Sequence, residues 1–326
     1  MTEANNIDDI ERLPEIRGYR LLRVLNHGGM STIYLAEQLA PSRDVAVKVM
    51  APHALSDEVS RRRFENEIRT IARLEHPHVV GIHELGRTAD GLPYYTMPHL
   101  ARGHLGQRSF QREDGSADEP RVIATLRVLL SALEYAHGRG VVHRDVKAEN
   151  VLFGDTEEPL LADFGIALRR GFGPRVTAAG LAVGSTAYMA PEQARGEDVD
   201  GRADLYSLGV LAWEMLTGRL PFEAGDALAM AVMHAQKPIP KLPPSLRHWQ
   251  RFMNRALAKQ PAHRFADAAQ MAAMLGQIER RGRWSGSGAA RPAVLQRLAR
   301  TPGRVWVAVG VLALAGVAVF SLGGNT

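Results

Sequence analysis

The spacing of apolar residues changes partway along this chain, and that change constrains its architecture more than any other feature. Residues 19–36 (YRLLRVLNHGGMSTIYLA) alternate around a glycine-containing turn, which predicts strand, turn, strand. Residues 44–50 (DVAVKVM) are a short β-rich run, and 79–85 and 94–97 read as further strands. Residues 58–74 place Phe64, Ile68, Ile71, Ala72 and Leu74 at helical spacing. Beyond residue 100 the helical period dominates. Residues 121–138 predict a long amphipathic helix ended by glycine, and 200–217 and 249–257 are also helical. A β-rich first third and a helix-rich remainder predict an α+β protein of two lobes with a cleft between them.

The chain can fill such an architecture. It has 326 residues, of which 45% are hydrophobic and 23% charged, so a sizeable core can form and wholesale disorder is excluded. It contains no cysteine, which rules out disulfides, zinc–thiolate sites, iron–sulfur clusters and thiol catalysis.

The chemistry concentrates in one stretch, His143-Arg144-Asp145-Val146-Lys147-Ala148-Glu149-Asn150, followed thirteen residues past Asn150 by Asp163-Phe164-Gly165. Phosphoryl transfer from a nucleotide needs a carboxylate to orient the attacking hydroxyl. It also needs oxygen ligands for Mg²⁺ and positive charge on the transferring phosphate. Asp145, Asn150, Asp163 and Lys147 are residues of those types, and Asp and Asn offer the hard oxygen atoms that suit Mg²⁺.

With these motifs the chain resembles a eukaryotic-type (Hanks-type) serine/threonine protein kinase of the sort bacteria carry on their membranes. The resemblance spans about residues 18–280. It implies the two-lobed protein kinase fold, with a β-rich lobe over residues 18–98 and a helical lobe over 99–280. It also implies ATP and Mg²⁺ as cofactors and proteins with Ser or Thr acceptors as substrates. Asp145 would accept or orient the hydroxyl, Lys147 would stabilise the γ-phosphate, and Asn150 and Asp163 would hold the metal. The strand containing Ala46-Val47-Lys48 would carry the ATP-binding lysine, Lys48, with Glu67 as its partner on the following helix.

The remaining nucleotide contacts follow from the same resemblance. Residues 25–33 occupy the place of the phosphate-covering loop, with Leu25, Asn26, Gly28, Ser31 and Ile33 as binding positions. The family pattern there is G-x-G-x-x-G, and this chain has Asn26 and Ser31 in place of the first and third glycines. Asn tolerates left-handed backbone, so Asn26 is expected to keep the turn. Met97, Pro98 and Leu100 would form the hinge that holds adenine, with Ala46 and Leu152 on the two faces of the base. Ala148 stands where the family usually has proline.

Regulatory expectations also come from the resemblance. Residues 163–192 would be the activation segment, with Thr177 a phosphosite that Arg144 could grip through charge-assisted bonds. Ser185 stands where the family has a threonine facing the catalytic Asp and Lys. Glu192 would pair with Arg264, and Asp204 would brace the loop around Asp145 through backbone hydrogen bonds.

The net charge of +5 belongs to the C-terminal end. Seven arginines lie beyond Glu279 with nothing acidic after it, so residues 1–279 carry 33 basic and 35 acidic side chains, a net of −2. That argues against a nucleic-acid-binding face. Residues 281–304 read as a basic linker, and 305–322 are 18 residues without a charge. At about 1.5 Å per residue a helix of that length is roughly 27 Å, close to the ~30 Å hydrocarbon thickness of a bilayer. A single C-terminal transmembrane helix is therefore expected. Basic residues flank only its N-terminal side, which is expected to place residues 1–304 in the cytoplasm, and the resemblance implies the inner membrane of a bacterium. Residues 323–326 would form a short external tail, too small for a ligand-sensing domain, while 1–17 form an acidic N-terminal tail without a signal peptide. The membrane run lacks GxxxG, so a homodimer for trans-autophosphorylation is an expectation from the resemblance alone.

The leading expectation is a serine/threonine protein kinase that also phosphorylates itself in the activation loop. The alternative, from the altered glycine loop, is a membrane-anchored pseudokinase scaffold. A small-molecule phosphotransferase is a further alternative, opposed by the activation segment and its Ala190-Pro191-Glu192 end.

Overall fold

The computed structural model describes residues 13–29, 31–52, 68–164 and 186–286. Five strands form one antiparallel sheet: β1 (Tyr19–His27), β2 (Ser31–Leu39), β3 (Ser42–Met50), β4 (Glu84–Arg87) and β5 (Pro93–Pro98), in the order β1-β2-β3-β5-β4. The β1–β2 turn is closed by the Gly28 N–H, which donates to the Ser31 carbonyl at 2.8 Å. A Cβ on Gly28 would stand 3.3 Å from that same oxygen, so a tight turn favours glycine there. Alternation in β3 buries Val45, Val47 and Val49 against Tyr19, Ala36 and Tyr94, while Ala46 and Met50 enter a second cluster on the opposite face.

The strand expected over 79–85 is shorter and later than its apolar pattern predicts. Only Glu84–Arg87 pairs with β5, and Val79 instead makes an isolated parallel bridge to Leu161. Val79 packs into the core of the helical lobe, while Val80 donates its N–H to the Leu161 carbonyl and packs beside Ala46, Tyr95 and Ala162, so their apolarity reflects tertiary packing. Of the helix expected over 58–74, residues 68–71 are helical, and 53–67 lie outside the described residues.

The helical lobe is built on α1 (Glu119–His137), capped by the Asp118 side chain and ended at Gly138. After it come a two-stranded ribbon, β6 (Val151–Phe153) with β7 (Pro159–Leu161), and the short helix α2 (Pro191–Arg195). Then follow α3 (Gly201–Thr217), α4 (Ala227–Gln236), α5 (Gln250–Ala256) and α6 (Ala268–Gly286). Helix α3 starts on an Asp200 cap and ends on Gly218 at φ 71°, a left-handed conformation that glycine adopts without Cβ strain. It is buried over most of its length, with Leu205, Leu208, Leu211 and Leu216 at the centre of the large core. A helix apolar all round has to lie in the middle of its lobe. The bulk of the protein is one compact unit ending at Glu279. Among the described residues no helix is long and apolar enough to cross a membrane, and 305–322 lie outside them.

Candidate active site

The site grows from the loop between α1 and β6. Asp204 on α3, itself fully buried, accepts the His143 N–H at 2.8 Å and the Arg144 N–H at 2.7 Å. His137 Nε2 meets the same carboxylate at 2.7 Å. On the other side, Gln193 Nε2 donates to the Arg144 carbonyl at 2.8 Å. These bonds hold Arg144 at φ 68°, where a long side chain costs on the order of 1–2 kcal/mol. The left-handed residue turns the chain immediately before Asp145.

Two side chains then converge on Asp145. Lys147 Nζ donates to its Oδ2 at 2.8 Å, and Asn150 Nδ2 donates to the same oxygen at 2.9 Å and to the Asp145 carbonyl at 2.7 Å. The turn that brings Asn150 back is a 3-10 segment, Ala148–Asn150. With its amide nitrogen used in this way, Asn150 has its side-chain oxygen left for another partner. His143, buried, bonds the Ala162 carbonyl through Nε2 at 2.9 Å and stacks on Phe164 with ring centres 4.4 Å apart. Burial holds its imidazole below the ordinary pKa, against the pull of Asp204 and Asp145.

Across the cleft, Lys48 on β3 donates to Asp163 Oδ1 at 2.7 Å. Tyr95 on β5 donates its hydroxyl to the same oxygen at 3.1 Å. Burial disfavours charge on Lys48, but the Asp163 carboxylate outweighs it and raises the lysine's pKa. Burial likewise works against the Asp163 carboxylate, and Lys48 overcomes it, so the pKa of Asp163 is lowered. Both groups are therefore charged at neutral pH. Asp163 also has positive φ, 56°, which Asp tolerates better than most residues.

Above this pair lies an apolar cluster. Leu25, Ile33, Ala46, Met97, Leu100 and Leu152, all expected around a nucleotide base, pack together with Val80, Tyr95 and Ala162. Pro98 stands opposite Val45 in the sheet, half-buried. Ser31 is buried at the start of β2. Asn26 differs from expectation. It sits within β1 opposite Ile33, beside a bulge, and uses no left-handed backbone, because strand pairing continues through it to His27. Glu67, Thr177 and Ser185 lie outside the described residues. The expected Glu192–Arg264 pair is present and bidentate, at 2.6 and 2.7 Å.

Three contributors carry little signature in the sequence. Tyr95 reads as plain strand core, Gln193 as a helix residue, and His137 as the end of an amphipathic helix. The Tyr95 hydroxyl gives no distinguishing signal, because Tyr94 and Thr96 in the same strand carry hydroxyls too.

Among the described residues no group of three or more His, Asp and Glu could hold a metal ion alone. Asn150 and Asp163 still suit Mg²⁺, which keeps few protein ligands and fills its shell with phosphate oxygens and water.

A family model described as the protein kinase domain matches residues 19–275. The chain is 35% identical over 280 residues to the serine/threonine-protein kinase pkn3 of Myxococcus xanthus, covering 81% of this chain and 50% of that one. It is 35% identical over 288 residues to the serine/threonine-protein kinase PknB of Mycobacterium tuberculosis, covering 85% and 44% respectively. The chain thus spans half or less of these curated relatives. The crystal structure of the Mycobacterium tuberculosis PknI kinase domain superposes with a TM-score of 0.64 at 32% identity, over 81% of this chain and 97% of that one.

Proposed function

Since the chain belongs to the protein kinase domain family, we propose that it transfers the γ-phosphate of ATP to Ser or Thr hydroxyls of proteins, itself included. One observation carries the reading. Asp145, Lys147 and Asn150 are tied into one hydrogen-bonded group, and the Lys48–Asp163 pair lies beside the apolar cluster in the same described unit. Asp145 orients and accepts the proton of the acceptor hydroxyl, worth roughly 10²–10⁴-fold. Lys147 balances charge on the γ-phosphate, and Lys48 on the α- and β-phosphates. Asn150 and Asp163 hold Mg²⁺, which supplies charge neutralisation on the phosphates when bound. The apolar cluster takes the adenine, with backbone groups of Pro98 and Leu100 toward its edge. The pseudokinase alternative is not favoured, since the residue types it would lack are present.

Regulation and placement extend the same proposal. Glu67 accepts another of the three Lys48 N–H bonds alongside Asp163, Thr177 is phosphorylated, Arg144 receives that phosphate, and Ser185 faces the catalytic group. Two copies phosphorylate one another. Residues 305–322 anchor the protein in the inner membrane, with the kinase domain in the cytoplasm and the arginines of 280–304 against anionic headgroups.

The test is phosphorylation of the full chain in detergent with γ-labelled ATP and Mg²⁺, beside an Asp145→Asn variant. Labelled Ser or Thr in the wild type alone is expected. ATP binding without any labelling, of itself or of a basic protein substrate, would favour the scaffold. Protease added outside intact cells is expected to leave the kinase domain whole.

A further inference from the structure

Tyr95 faces Lys48 across the β3–β5 pairing and is 3% exposed. A hydrocarbon side chain would complete the surrounding apolar cluster equally well. The phenol brings only an added hydroxyl, which is costly to bury unless it finds a partner. Its partner is Asp163 Oδ1, at 3.1 Å, the oxygen that also accepts from Lys48 Nζ at 2.7 Å. A phenol keeps its proton at neutral pH, and a carboxylate oxygen can only accept, so the hydroxyl is the donor. Asp163 Oδ2 has no hydrogen-bond partner among the described residues.

The terminal torsion of an aspartate is broad, and a single ammonium contact lets the carboxylate rotate about it. A second donor, approaching from another strand, removes that freedom. We infer that Tyr95 is a positioning residue: with Lys48 it clamps one carboxylate oxygen of Asp163, so that the other is presented to a divalent metal ion. The inference rests on the reading of Asp163 as a metal ligand given above. Hydrogen bonding also draws charge from the carboxylate, which acts against metal affinity. Orientation dominates here, because the clamp loads Oδ1 and leaves Oδ2 untouched.

The test uses the full chain in detergent, with Mn²⁺ as the probe ion, titrated by electron paramagnetic resonance in the presence of a non-hydrolysable ATP analogue. Tyr95→Phe keeps the ring and deletes the hydroxyl. It is expected to weaken Mn²⁺ binding about three- to tenfold, the scale of the net worth of one ordinary hydrogen bond. Adenosine affinity without metal should stay near wild type, and the melting temperature should fall by only a few degrees. Tyr95→Leu, which also removes the ring, should lose adenosine affinity as well. Mn²⁺ binding to Tyr95→Phe as tight as to wild type, or tighter, would overturn the inference. A wild-type chain that binds neither adenosine nor Mn²⁺ with the analogue would instead overturn the kinase reading beneath it.

Discussion

Glu192 and Arg264 lie 72 residues apart and meet through two parallel bonds of 2.6 and 2.7 Å, with 3% and 0% of their side chains exposed. Arg264 also donates to the carbonyls of Ala258, Lys259 and Arg202, and its guanidinium lies 4.7 Å from the centre of the Tyr206 ring. The pair thus ties the start of α2 to the first turn of α3 and to the segment between α5 and α6. Arg264→Ala leaves a buried carboxylate uncompensated and is expected to cost about 3–5 kcal/mol. Urea unfolding measures this, and a loss below about 1 kcal/mol would place the pair among those of surface strength.

Asp204 sets the loop around Asp145 by accepting two consecutive backbone N–H groups. Asn at that position offers one acceptor oxygen, and its amide turns a donor toward a donor. Asp204→Asn should therefore relax Arg144 from its left-handed backbone and displace Asp145. Turnover is expected to fall roughly 10²-fold, the scale for a misplacement near 1 Å. Steady-state kinetics with saturating ATP decide it, since a pure effect on KM would not fit a displaced Asp145.

Asn150 serves two purposes, clamping Asp145 with its amide nitrogen and offering its oxygen outward. Asn150→Asp keeps an oxygen donor but loses the N–H bonds and sets a carboxylate against Asp145. It should lower turnover more than it lowers metal affinity. Asn150→Ala should lower both and cost about 1–3 kcal/mol of stability, as a buried hydrogen-bonding group is lost. Comparison of the two variants in a metal titration separates these effects.

His234 on α4 is fully buried, bonded through Nδ1 to the Tyr206 hydroxyl at 2.8 Å, while Lys259 donates to its carbonyl at 2.7 Å. Burial first, and the Lys259 charge second, push its pKa from 6.5 down to about 4. Between those values the unfolded chain binds a proton that the folded protein refuses. Stability from this group is complete above pH 6.5 and declines as pH falls toward 4. The loss should reach about 2–3 kcal/mol. Unfolding measured at several pH values should show a flatter acid limb in His234→Gln than in wild type. Parallel limbs would refute the assignment.

Much of the site was legible in the chain itself, and the reason is covalent. Asp145, Lys147 and Asn150 lie within six consecutive residues, so a single 3-10 turn brings them together. The switch from period two to period 3.6 likewise revealed a sheet followed by helices, because each pattern has to bury one face. Glu192–Arg264 and Asp204 were reached only through family resemblance, since nothing local couples residues so far apart. Tertiary structure alone decided the rest. Val79 and Val80 read as strand because burial in a packed cluster and pairing in a sheet demand the same apolar side chains. Asn26 became a strand residue because pairing with β2 continues past the bulge. Tyr95 reaches Asp163 only because β3 and β5 pair in a register that sets it opposite Lys48. That register is a property of the whole sheet, and no local spacing encodes it.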